Sequence, residues 1–147
     1  MDIEGLLRSL NEHDVEYVLI GATAFPVHGY ARATLDVDIF IRPSPENARR
    51  THAALTAFGY DLSSVSEDEL LTKKVLIRQY LVEADIHPFA GGVTFDEVWQ
   101  RRVEDRIGKT FTAFASLDDL IRMKEAAGRP KDLEDLKVLR KLRESRD

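Results

Sequence analysis

The sequence predicts an α/β (α+β) fold: a mixed sheet flanked by helices and closed by two C-terminal helices. Three observations carry this. Over residues 2–59, helical apolar spacing alternates with short apolar runs bounded by glycine and proline. Between residues 74 and 115 the strand-like runs cluster. From residue 116 onward helical periodicity returns and stays. Alternation followed by clustered strands points to a mixed rather than purely parallel sheet.

Each element has its own signal. Ile3, Leu6, Leu7 and Leu10 share one face of a helix over 2–13. The run VEYVLIG, 15–21, reads as a buried strand ending in glycine. ATAFPVHGY, 22–30, reads as a short helix with Thr23 as cap and Gly29 as stop. LDVDIFI, 35–41, is a strand stopped by Pro43, with Leu35, Val37, Ile39 and Ile41 on its core face. Ser44 as N-cap, Pro45 at the first position and Gly59 as stop bracket the next helix.

Further on, YDLSSV reads as a short strand and SEDELL as a loop or one helical turn. Residues 74–89 read as strand, tight connection, strand, with a single bent strand as the alternative, and 90–92 as a turn. TFDEVWQRR is a short helix; VEDRI and KTFTAFA are strands. Ser116 and Asp119 resemble a capping box for the helix over 116–128. Pro130 opens a last helix with the stripe Leu133, Leu136, Leu139 and Leu142. At 147 residues the chain suits one domain: a core over 1–115 and a helical pair over 116–147.

Composition excludes several classes. With 44% hydrophobic and 32% charged residues, the balance is that of a soluble globular protein. The absence of cysteine removes disulfide frameworks and thiolate metal sites. Residues 1–14 lack a basic region followed by an apolar core, and the run YVLIGATAFPV is too short to span a bilayer. A cytoplasmic protein without membrane association is therefore expected. The net charge of −5 argues against bulk electrostatic capture of nucleic acid. The charge is uneven: residues 121–147 carry nine Lys/Arg against six Asp/Glu. That basic tail suits a phosphate-bearing ligand or a solvated amphipathic helix.

The chemistry centres on Asp36 and Asp38. Positions i and i+2 of a strand share a face, so the two carboxylates stand side by side. Such a pair either shares a proton or binds a cation. Mg²⁺ takes carboxylate oxygens and keeps positions open for water and phosphate. VEADIHP places Asp85 in a second apolar strand, and three carboxylates on neighbouring strands would make a two-metal site. Glu83 and His87 share the face of Asp85; a surface Glu and a hydrogen-bonded His are the plainer readings. Gly21, at a strand end before a helix, offers backbone N–H groups to an anion. P-loop and dinucleotide-binding glycine patterns are absent from the sequence. His28, Tyr30, Tyr60, Tyr80 and Trp99 are scattered and read as core rather than base-stacking residues. His13 and His52 sit in helices and receive no role.

The order strand, IGATA, helix, HGYARATLDVDIFI, then VEADIHP resembles the DNA polymerase β-like nucleotidyltransferase superfamily. HGYARATLDVDIFI and DLIRMKEAAGRPKDLEDL are especially similar to small stand-alone members: minimal nucleotidyltransferases and AbiEii-type toxins. The resemblance implies that Asp36, Asp38 and Asp85 ligate two Mg²⁺ ions and that Asp85 takes the proton of the attacking hydroxyl. It implies that Gly21, Ala22 and Thr23 hold the triphosphate of an NTP. Ala22 departs from the pattern, where Gly or Ser is usual. Arg32 and Thr34 precede the acidic pair as in these relatives, Arg32 either contacting phosphate or bracing the loop. Lys124 and Lys131 match a segment whose lysines pair with phosphate or, for Lys131 with Asp132, fix the last two helices together.

The function so implied is Mg²⁺-dependent transfer of a nucleoside monophosphate from an NTP to an acceptor hydroxyl. The acceptor is a tRNA end, a protein side chain or a small molecule. The role could be that of the toxin in a toxin–antitoxin pair, and an antitoxin or a second copy of the chain would complete the site. Two other readings fit the same residues: a partner-binding module with a weakened nucleotide site, and metal-dependent phosphodiester hydrolysis. Gly21 together with Arg32 and Thr34 favours transfer over hydrolysis.

Overall fold

A computed structural model describes residues 2–79 and 82–146. Tyr80 and the middle of the expected 74–89 connection lie outside them. The helices are α1 (Ile3–Glu12), α2 (Pro45–Phe58), α3 (Glu67–Thr72), α4 (Phe95–Gln100), α5 (Leu117–Ala127) and α6 (Asp132–Arg146). The strands are β1 (Tyr17–Ile20), β2 (Asp36–Ile41), β3 (Val75–Ile77), β4 (Glu83–His87), β5 (Val103–Ile107) and β6 (Thr110–Phe114). They form a six-stranded sheet in the order β3-β4-β2-β1-β6-β5. β2–β4 and β1–β6 pair in parallel and the other neighbours antiparallel, so the sheet is mixed. The fold is that of a nucleotidyltransferase: a mixed sheet, flanking helices and a C-terminal helical pair.

Local chemistry sets most boundaries. The Asp2 side chain caps α1 and Ser44 caps α2, with Pro45 in the first turn. Ser66–Glu69 and Thr94–Glu97 form complete capping boxes at α3 and α4. α3 is thus a formed helix of six residues, where the sequence left loop or turn open. Ser116 caps α5 through the Asp119 N–H, but the Asp119 carboxylate turns away to Arg101 and Arg122, so no capping box closes.

Four expectations are corrected. YDLSSV forms no strand; its Tyr60 hydroxyl is held by the Val82 carbonyl, and the Val65 carbonyl by His52. Residues 22–30 form two 3₁₀ turns, Gly21–Ala24 and Pro26–His28, not one helix, and Thr23 caps neither. β2 begins at Asp36, leaving Leu35 78% exposed rather than on the core face. Leu133 is likewise exposed at 59%, because the spacing of three in its stripe drifts around the helix. Leu136 and Leu139 alone of that stripe are fully buried. On one side of the sheet Val37, Ile39, Ile41, Ala84 and Ile86 join Leu6, Leu7, Leu10, Leu55 and Leu70 in the core, and on the other Phe40 is buried against Phe95.

Candidate active site

The other face of the sheet carries the polar residues. β2 and β4 run in parallel with Asp38 directly opposite Asp85 and Asp36 opposite Glu83. Neighbouring strands lie about 4.8 Å apart, so this register sets four carboxylates on one small patch. Asp85 is 6% exposed. Such crowding of like charge requires cations or protons. Arg78 supplies the first: its guanidinium lies 2.7 Å from Asp85 Oδ1, 3.7 Å from Asp36 Oδ2 and 3.8 Å from Glu83 Oε2. Lys74 Nζ stands 3.8 Å from Asp85 Oδ2. Asp36 beside it also raises the Glu83 carboxyl above its usual range.

His87, two residues beyond Asp85, places Nε2 2.9 Å from Asp38 Oδ1. Asp38, Asp85 and His87 each bring a ligand atom within 4.8 Å of the other two. Two carboxylate oxygens and an imidazole nitrogen fit a divalent cation. Asp36 stands outside that trio, on the Arg78 side of the patch.

Gly21 follows β1 directly, where Ile20 pairs with Asp38. Its φ of +62° lies in the left-handed region, and a Cβ there would sit 2.6 Å from Asp38 Oδ2. Only glycine lets the chain turn out of the sheet and pass against this carboxylate. Ala22 is buried in the core while still lining the cleft. Thr23 does not line it. Its hydroxyl bridges β2, donating to the Asp36 carbonyl at 3.3 Å and accepting from the Asp38 N–H at 3.2 Å.

The patch forms the floor of a cleft of about 500 Å³ between the sheet and the C-terminal helices. Gly21, Ala22, Arg32, Thr34, Asp36, Asp38 and Asp85 line it together with Lys124 and Lys131. Thr34 Oγ1 donates to the Asp36 carbonyl at 3.0 Å, tightening the approach to β2. Arg32 pairs with Asp135 of α6 at 3.2 Å, and Tyr30 donates to the same carboxylate at 2.9 Å. The loop before β2 is therefore tied to α6.

Lys124, only 15% exposed in its side chain, lies 3.0 Å from Asp132 and 3.2 Å from Asp135, both buried. Arg129 adds two guanidinium hydrogen bonds to Asp132. These cations hold the Asp132 carboxyl far below the usual carboxylate range, Arg129 contributing most. Lys131 is exposed on the rim. His28 is buried against the Ala115 carbonyl, and Tyr30 stacks on Phe25, which lines the cleft together with Phe89.

A family described as "Nucleotidyltransferase of unknown function (DUF6036)" matches residues 1–142. The chain belongs to this nucleotidyltransferase family. No curated protein matches it. Among the described residues no helix is long and apolar enough to cross a membrane.

Sequence reasoning passed over Arg78 and Lys74. The signal was present: Lys74, Leu76 and Arg78 alternate with Val75 and Ile77, which are buried. Leu76 pairs with Asp85 across the antiparallel β3–β4 ladder, so the cations flank the carboxylate on its own face. Without that pairing the alternation names a strand face but no neighbour.

Proposed function

We propose that this nucleotidyltransferase moves a nucleoside monophosphate from an NTP to an acceptor hydroxyl with the help of Mg²⁺. The observation that carries the reading is the in-register opposition of Asp38 and Asp85 beneath a cleft, with the Gly21 backbone against Asp38. Asp38, Asp85 and His87 would hold a divalent ion, and Asp36 would complete a second position. Bound there, the metal supplies charge neutralisation at the phosphates and at the attacking oxygen.

The chain's own groups do the rest. Gly21 and Ala22 bring main chain to the cleft wall beside Asp38, where a triphosphate would lie. Lys131 and Lys74 offer point charges at the cleft for its oxygens. The acceptor oxygen attacks the α-phosphorus as the bond to pyrophosphate breaks, and pyrophosphate leaves with the electron pair. The hydroxyl proton passes to the Asp85 carboxylate, which faces the same cleft. Lys124 acts indirectly, holding α5 and α6 in the position that forms the cleft wall.

Calorimetric titration with ATP, CTP, GTP and UTP plus Mg²⁺ tests the reading. Binding of an NTP that is lost in Asp38→Asn supports it; no binding of any NTP would sink it and leave a partner-binding module. Cleavage of plain RNA or DNA without NTP would favour hydrolysis. Incubation with α-labelled NTP and, in turn, tRNA, protein extract and small aminoglycoside-like alcohols distinguishes the acceptor classes. Label on a co-expressed protein or on the chain itself would point to an antitoxin partner or a second copy.

A further inference from the structure

We propose that Arg78 is the built-in occupant of the second cation position, so that the nucleotide-free protein loads a single divalent ion. The inference rests on the reading that Asp38, Asp85 and His87 hold the first. The carboxylate patch divides into two halves. On one side Asp38, Asp85 and His87 converge within 4.8 Å, with Lys74 Nζ standing 3.8 Å from Asp85 Oδ2. On the other side Asp36, Glu83 and the second flank of Asp85 converge on one guanidinium, at 3.7, 3.8 and 2.7 Å. Asp85 is the member common to both halves, as a bridging carboxylate between two cations would be.

Arg78 suits this role by its position. It lies one residue past β3, whose last pair is Ile77–Ala84, and so comes level with Glu83 and Asp36 across the sheet. A planar guanidinium spreads five donors over three carboxylates, where an ammonium offers three donors from a single point charge. Its side chain is 42% exposed, so it has solvent to swing into. Lys74 differs: it approaches Asp85 alone and no nearer than 3.8 Å. A second ion must therefore displace Arg78, whereas the first need only take the place of the Asp38–His87 hydrogen bond.

Manganese titration of the intact chain by calorimetry, with spin-resonance detection of coupled ion pairs, tests this. Wild type is expected to bind one Mn²⁺ without a coupled signal, and R78Q two with one. R78K, keeping the charge but not the three-way fit, is expected to bind the second ion about two- to fivefold more weakly than R78Q, the scale of a partly exposed ion pair. K74Q is expected to remain at one. Two ions in wild type, one in R78Q, or two in K74Q would each overturn the inference. If Asp38→Asn leaves the first ion in place, the ion position itself fails and the inference with it. If the stoichiometry shifts as expected but no NTP binds, the transfer reading falls and the role of Arg78 stands.

Discussion

Gly21→Ala tests the contact at the heart of the site. Two costs follow from the geometry. A φ of +62° places alanine in the left-handed region, which costs roughly 1–2 kcal/mol. The new methyl would sit 2.6 Å from Asp38 Oδ2 and 3.2 Å from its Cγ, so the carboxylate must rotate or β1 must part from β2. Rotation is the cheaper response, because among the described residues only His87 holds the Asp38 side chain by a hydrogen bond, while the strands share a ladder. Stability should then fall by about 2 kcal/mol, or about 4–8 °C in Tm for a chain of this size. Mn²⁺ affinity and nucleotidyl transfer should fall by about a hundredfold, since a displacement near 1 Å at a reacting centre costs that much. Thermal melting, Mn²⁺ calorimetry and label transfer on one preparation separate the two effects. Wild-type metal affinity in a Gly21→Ala protein that melts only slightly lower would refute the claim that this glycine exists to seat Asp38.

His87→Ala removes the nitrogen ligand of the proposed ion position and should weaken Mn²⁺ binding by at least the roughly 10- to 100-fold that losing an outer partner costs, while leaving the urea midpoint nearly unchanged. Thr23→Val cuts the hydroxyl bridge to the β2 backbone and should cost about 1 kcal/mol in urea denaturation, with NTP affinity within a few-fold of wild type; a large loss of NTP affinity would restore the phosphate role expected for Thr23. Lys124→Met should destabilise by about 2 kcal/mol, less than a broken buried pair usually costs because Arg129 and Arg32 still face the two carboxylates. The acid limb follows from Asp132, whose carboxyl is depressed in the folded state: its contribution is present above the unfolded value near 4 and is lost as pH falls below it. Stability measured from pH 5 to 2 should therefore drop less steeply in Lys124→Met than in wild type.

The sequence by itself determined most elements and half of the site. Capping residues, proline at first turns and glycine stops act within a few residues, so the ends of α2 and α5 and the C-terminal end of β2 could be read from the chain. Period-two alternation put Asp36 and Asp38 on one face, and the apolar setting of Asp85 marked a second strand. What it left out depends on which strands are neighbours. Only the β2–β4 register sets Asp38 opposite Asp85, and only the β3–β4 pairing brings Arg78 onto both Asp85 and Asp36. The same holds for Thr23, whose expected phosphate or capping role gave way to a bond across to β2. It holds also for Lys124, placed between two buried carboxylates by the packing of α5 on α6. Local signals are set by backbone sterics and short-range hydrogen bonds. The charge balance of the carboxylate patch is set by residues from three strands, and no spacing along the chain encodes their distances.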